Sequence, residues 1–186
     1  MRIISGKNRG TKLYTLDGLD TRPTLDRVKE PLFSILNFYI ADSVVLDLFA
    51  GSGALGLEAI SRGAKEAVLC DNSKKAIHII EQNVEKTSTN SKVKIINSDY
   101  LNALENLKMQ QYKFDIVFLD PPYNMNYVEK ASQRIVEFSL LNKNGIIVIE
   151  TDRKKDIIDS INKLNLFEIF DERKYGRAEL IFIKQK

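Results

Sequence analysis

The 186 residues contain no tryptophan, one cysteine and one histidine. A lone cysteine cannot close an internal disulfide, which fits a reducing cytosol. One cysteine and one histidine also argue against a zinc site of the usual Cys/His kind, so no metal is expected. No apolar run approaches the roughly 20 residues that a membrane span needs. The opening Met1-Arg2-Ile3-Ile4-Ser5-Gly6 leads into polar Lys7-Asn8-Arg9 and not into a secretory apolar core. A cytoplasmic location without membrane contact is expected. There is no G-x-x-x-x-G-K-[ST], which excludes a P-loop NTPase. Internal repeats and low-complexity tracts are missing too. With 44% hydrophobic and 28% charged residues, the chain reads as one globular domain plus a small appendage.

The net charge of +3 says little as a total, but its placement says more. The first twelve residues hold Arg2, Lys7, Arg9 and Lys12 and no acid. Such an arm, with Gly6 and Gly10 for backbone freedom, suits a phosphate backbone. It would equally suit a solvated edge hairpin whose lysines block aggregation. Residues 1–22, ending near Arg22, are expected to form a hairpin extension that contacts RNA, and residues 23–186 the main domain.

From Val44 onward, short apolar runs alternate with segments of helical period. The apolar runs are Val44–Phe49, Ala67–Cys70, Val93–Ile96, Ile116–Leu119, Ile146–Ile149, Phe167–Phe170 and Leu180–Ile183. Helices are predicted at about 54–62, 74–86, 126–140 and 153–164, with a shorter one after Asp99. Strands without polar alternation are buried on both faces, as in a parallel sheet covered by helices. The pattern predicts a doubly wound α/β sheet with a closing antiparallel pair around Lys174-Tyr175-Gly176-Arg177. Pro31 predicts a break, with a short capped turn from Thr24 and then a helix containing Leu32, Phe33, Leu36 and Phe38.

The first predicted strand runs into Ala50-Gly51-Ser52-Gly53-Ala54-Leu55-Gly56. Glycines there permit a sharp turn and close approach of a ligand to the backbone. Asp71 ends the next strand, twenty residues after Gly51, where a ribose-binding acid is expected. Taken alone, this G-x-G-x-x-G with its acid is a weak dinucleotide signal. Asp47 and Asp99 add carboxylates at two more strand ends. A pyrophosphate charge near 4 Å from a carboxylate would be repelled by roughly 4 kcal/mol at an effective dielectric of ~20. S-adenosylmethionine instead brings a sulfonium and an ammonium against one carboxylate. Asp47 would face its amino-acid end, Asp71 the ribose and Asp99 the adenine amine. Any one of these acids could equally be a helix cap.

The fourth strand ends in Asp120-Pro121-Pro122-Tyr123. Two prolines stiffen the turn and remove two backbone donors. The Asp120 carboxylate and the Pro121 carbonyl are then acceptors for the hydrogens of an exocyclic nucleobase amine, turning its lone pair towards an electrophile. Tyr123 offers a ring on which an unstacked base can lie. Attack on a methylsulfonium makes the amine acidic, so alignment and electrostatics can carry catalysis without a strong base. Cys70, within an apolar strand, reads as a buried thiol, and no cysteine stands near the turn to serve cytosine-C5 chemistry. His78 lies on a helix remote from the strand ends.

Asp47-Leu48-Phe49-Ala50-Gly51-Ser52-Gly53 together with Asp120-Pro121-Pro122-Tyr123 resembles the class I, Rossmann-like methyltransferases that act on exocyclic amines. Arg2-Ile3-Ile4-Ser5-Gly6 through Arg9-Gly10-Thr11-Lys12-Leu13, and Thr21-Arg22-Pro23-Thr24-Leu25-Asp26-Arg27-Val28-Lys29-Glu30 with Leu32-Phe33, resemble the RsmD family of bacterial 16S rRNA guanine-N2 methyltransferases. The resemblance covers nearly the whole chain. It implies a seven-stranded, mostly parallel sheet, S-adenosylmethionine as donor, and a guanine of small-subunit rRNA or an assembling 30S particle as acceptor. It carries over Asp47, Gly51, Gly53, Asp71 and Asp99 as cofactor contacts and Asp120 through Tyr123 as the catalytic turn. Arg22, Thr24 and Arg27 would line the methionine or base end of the pocket. A cytoplasmic monomer is expected. The alternatives are an adenine-N6 methyltransferase on DNA or RNA, an NAD-dependent oxidoreductase using the glycine loop, and a non-enzymatic RNA-binding factor.

Overall fold

The structure is a computed structural model that describes residues 1–16, 24–122 and 125–186, with the side chains of residues 24–27 and of Met125 outside that description. Among the described residues seven strands form one sheet: β1 (Val44–Asp47), β2 (Glu66–Asp71), β3 (Val93–Asn97), β4 (Phe114–Leu119), β5 (Leu141–Thr151), β6 (Phe167–Tyr175) and β7 (Ala178–Gln185). Their order is β3-β2-β1-β4-β5-β7-β6, with β7 antiparallel to both neighbours and the other pairings parallel. This is the doubly wound, mostly parallel sheet that the unbroken apolar runs predict, closed by the antiparallel pair at residues 167–185.

Period-2 alternation divides the strand residues between two cores. Val45, Ala67, Leu69, Ile116 and Phe118 face α1 (Thr24–Ile35), α2 (Asn37–Ile40), α3 (Ala54–Ser61) and α4 (Lys74–Lys86). Leu46, Val68, Cys70, Val117 and Leu119 face α5 (Tyr100–Met109), α6 (Met125–Glu137) and α7 (Lys154–Leu164). The central parallel strands β1, β2 and β4 are therefore roofed on both sides, which is why their sequences show no polar face, whereas β3 at the sheet edge is half-buried. The order reverses between β1 and β4, and a crevice opens at their carboxyl ends.

The region around Pro31 differs from the expectation. One helix, α1, begins at Thr24 and runs through Pro31, and the break comes later, at Leu36. Proline removes one ladder bond, but burial of Val28, Leu32, Phe33 and Leu36 in one core holds the helix together. Phe38, on the far side of that break, is 94% exposed and not part of the apolar face.

The amino-terminal arm is a hairpin with an antiparallel bridge between Arg2 and Lys12. It does not stand off from the domain, because Ile3 and Leu13 are buried in the same core as α1 and α3. Lys7 N–H donates to the Ser61 carbonyl at 2.8 Å and Asn8 N–H to Ser61 Oγ at 3.0 Å. Gly6 makes this approach possible. Its φ is +82°, and a Cβ there would sit 1.8 Å from the Ser61 carbonyl oxygen.

Candidate active site

Parallel register brings acids from distant parts of the chain to one edge. Asp47 pairs laterally with Leu69 and Phe118, and Asp71 with Asn97, so the ends of β1, β2, β3 and β4 lie side by side. A cavity of about 760 Å³ opens there, lined by Asp47, Gly51, Asp71, Asp99, Asp120, Pro121 and Pro122 among others. Seven residues singled out in the sequence thus meet around one space of ligand size. Gly53 does not line it. With φ +76° it makes the left-handed turn that starts α3. Tyr123 and Arg22 lie outside the described residues. Thr24 and Arg27 fall in the first turns of α1, and their side chains lie outside the description.

The acids are not equivalent. Asp71 braces the glycine loop, accepting from Gly51 N–H at 2.9 Å through one oxygen and from Ser73 N–H at 2.9 Å through the other. Asp99 caps α5, accepting from Leu101 N–H at 3.0 Å and Asn102 N–H at 3.2 Å. The helix-capping alternative therefore holds for Asp99, while its carboxylate still borders the cavity. Asp47 is 2% exposed, and its one hydrogen bond among the described residues is a long one, from Gly56 N–H at 3.4 Å. Burial, reinforced by the charges of Asp120 and Asp71 against the opposing Gly56 bond, pushes its carboxyl up to about 7. A buried carboxylate so poorly compensated is suited to a cationic ligand. Cys70 is inert, since burial and then the charges of Asp71, Asp47 and Asp99 push its thiol up to about 12.

Three features were missed in the sequence. Phe49, Tyr100 and Tyr127 form an aromatic wall of the cavity, with ring centroids 5.3 to 6.1 Å apart. Tyr100 directly follows Asp99, and this adjacency was the available signal. Glu58 is fully buried and accepts from Ile4 N–H, Ser5 N–H, Arg62 Nε and Lys29 Nζ. A lone acid inside the apolar Ala-Leu-Gly-Leu-Glu-Ala-Ile segment could have flagged it. Asn83, also fully buried, joins the arm to the glycine loop. Its Oδ1 accepts from Tyr14 N–H at 2.7 Å, and its Nδ2 donates to the carbonyls of Tyr14 at 3.0 Å and Ser52 at 2.9 Å. Asn83→Ala leaves these groups without their partner, at an expected cost of about 2–3 kcal/mol. Thermal unfolding should show Tm falling by roughly 4–10 °C. An unchanged Tm would mean that the arm re-pairs without it.

Among the described residues no cluster of histidine, cysteine, aspartate and glutamate is suited to a metal ion. No helix among them is long and apolar enough to cross a membrane.

The family described as conserved hypothetical protein 95 matches residues 1–184. A Haemophilus influenzae protein named ribosomal RNA small subunit methyltransferase D is 40% identical over 163 residues, covering 87% of this chain and 84% of that protein. The protein of the same name from Escherichia coli K12 is 37% identical over 152 residues, 82% of this chain and 75% of that one. A solved Escherichia coli structure, described provisionally as a methyltransferase, superposes with a TM-score of 0.82 at 29% identity, covering 100% of this chain and 98% of that one.

Proposed function

This chain belongs to the family described as conserved hypothetical protein 95, the RsmD family, and from that premise we propose that it methylates the exocyclic N2 of a guanine in small-subunit rRNA. It is an S-adenosylmethionine-dependent rRNA methyltransferase with a Rossmann-like class I fold. The choice of guanine N2 rests on the amino-terminal motifs, which fit the guanine-N2 family. What carries the amine chemistry is the position of Asp120 and Pro121 on the wall of the cavity that Asp47 enters.

The residues present fit the cofactor. Asp47 offers a buried carboxylate to a cation, and Asp71, beside Gly51, would take the ribose. Asp99, Phe49 and Tyr100 form a half-acidic, half-aromatic margin suited to adenine. When bound, S-adenosylmethionine supplies an electrophilic methyl on a sulfonium. Asp120 and the Pro121 carbonyl accept the two hydrogens of the guanine amine, aiming its nitrogen at that methyl, and Tyr123 carries the flipped ring. Transfer would form the N–CH3 bond as the S–CH3 bond breaks, leaving S-adenosylhomocysteine, and the acidified nitrogen would release one proton towards Asp120 or solvent. Arg2, Lys7, Arg9, Lys12 and Arg22 would hold phosphates. The first four are supported by an arm whose charged ends are all exposed.

This reading takes residues 1–22 as the RNA-contacting extension of the methyltransferase unit. It takes the enzyme to act as a monomer. The cytoplasm, free of membrane contact, is where such an enzyme meets naked rRNA or the assembling 30S particle, and no step needs a metal.

The test uses methyl-labelled S-adenosylmethionine and small-subunit rRNA, naked or assembled, from a strain lacking the activity. Nucleoside mass spectrometry should place the label on N2-methylguanosine. Label on adenine N6 would transfer the assignment to the adenine alternative. Calorimetry separates the remaining rivals, since S-adenosylhomocysteine should bind and NAD should not.

A further inference from the structure

A second concavity of about 440 Å³ lies between the arm, α1 and the end of α3. Arg2 and Arg9 approach it from the arm, Glu30 and Ser34 from α1, and Arg62 from just past α3. We propose that this cavity binds a phosphodiester of the substrate RNA, with Arg62 as the residue that completes it. The proposal rests on the rRNA methyltransferase reading and deepens it by naming where one phosphate sits.

The first argument is charge. Three arginines face one acid, and the Lys29–Glu58 pair behind the wall is neutral. Guanidinium groups converging on a concave surface are matched to a phosphate's oxygens, through forked hydrogen bonds that a lysine cannot copy.

The second argument is rigidity. Glu58 ties together all three walls, accepting from the arm at Ile4 (2.8 Å) and Ser5 (3.0 Å), from α1 at Lys29 (3.2 Å) and from Arg62 Nε (2.8 Å). Lys29 Nζ also donates to the Arg2 carbonyl at 2.5 Å. Arg62 is fixed further by its guanidinium lying 4.9 Å from the centroid of the Phe33 ring. An arginine held by one edge and one face has lost its rotamer freedom before any ligand arrives, which lowers the entropic cost of binding.

The third argument is location. Met1 lines the central cavity and Arg2 lines this one. Consecutive Cα atoms are about 3.8 Å apart, so the linings of the two spaces meet at adjacent residues of the arm. A phosphate held here belongs to a nucleotide close to the one whose base enters the active site.

The experiment measures affinity for transcribed 16S rRNA against salt, alongside affinity for S-adenosylhomocysteine and Tm. Arg9→Gln should weaken RNA binding by about 3–10-fold and lower the salt slope by about 0.7–0.9. Arg62→Lys keeps a charge beside Glu58 but loses the fork, and it should weaken RNA binding by about threefold with Tm retained. Glu30→Gln removes the exposed acid at the rim and should tighten binding about twofold at low salt, an advantage that salt erases. Cofactor affinity should stay within twofold in all three. If Arg62→Lys and Glu30→Gln both bind RNA as the parent does, the cavity is not a phosphate site, even if Arg9→Gln shows that the arm touches RNA elsewhere. Failure of the parent protein to make N2-methylguanosine would instead remove the functional reading, a separate outcome of a separate assay.

Discussion

Asp120→Ala should lower kcat by about 10²–10³-fold or more while changing the affinity for S-adenosylhomocysteine less than fivefold. The large effect follows from what the residue does at the transition state. A guanine amine shares its lone pair with the ring, and only a site that accepts both hydrogens turns that pair towards the methyl. Losing one of two preorganised partners costs about 3–4 kcal/mol of the barrier. The small effect on binding comes from two opposed changes. Removing the Asp120 charge takes a negative neighbour from the cationic cofactor, and it also relieves the repulsion that helps keep Asp47 protonated. Asp120→Asn retains an acceptor oxygen and should fall between the parent and the alanine variant. Single-turnover kinetics with saturating cofactor, together with calorimetry, separate the two quantities. Equal loss of both would mean that Asp120 holds the pocket together and does not aim the base.

Asp47→Asn should weaken cofactor binding by about a hundredfold at pH 8 and, at the same pH, make the free protein more stable. The first part is the loss of a charge-assisted contact in a dry site, roughly 3 kcal/mol. The second follows from the direction of the shift at Asp47. Its carboxyl is raised from 3.8 in the open chain to about 7 in the folded one, so the fold disfavours the ionised form. Stability is therefore lost as pH rises from about 4 through 7, a cost of up to about 4 kcal/mol that is complete by pH 8. An amide never ionises, so the variant escapes that cost above pH 7 and gains nothing near pH 4. Its Tm should exceed that of the parent by several degrees at pH 8, the two curves converging in acid. Cofactor affinity of the parent should rise about tenfold per pH unit up to about 7 and then level off, whereas the variant should show no such rise. A parent profile flat from pH 5 to 8 would mean that Asp47 is already ionised in the free protein and that the cost assigned to burying its charge is wrong.

Both expectations concern residues that the sequence made visible, and for a physical reason. A βα sheet leaves its strand ends as the only place where acids and glycines from separate segments converge. Asp47, Gly51, Asp71, Asp99 and Asp120 could thus be assigned to one cavity from periodicity and spacing alone. The family resemblance added the guanine and the ribosomal substrate, which periodicity does not carry. Lys29 and Asn83 gave no signal, and Glu58 only that of a lone acid in an apolar segment, because each is a polar residue buried by a partner 27 to 69 positions away along the chain. Helical period predicts a solvated face for such residues, and only the packed arm reverses that. Gly53 takes the left-handed turn that starts α3, a role the sequence did not separate from ligand contact, since one glycine pattern serves both purposes. Pro31 misled in the other direction, because its local penalty is outweighed by the apolar face of α1 that buries Leu32 and Phe33.

The shared edge where cofactor and acceptor meet is tested most directly by a crystal structure with S-adenosylhomocysteine and a guanine-containing fragment of small-subunit rRNA. The expected result has the guanine N2 within about 3.2 Å of both an Asp120 carboxylate oxygen and the Pro121 carbonyl, facing the cofactor sulfur, with the cofactor amino group on Asp47. A complex in which the guanine amine points to solvent, or in which the cofactor lies away from Asp47, would contradict it.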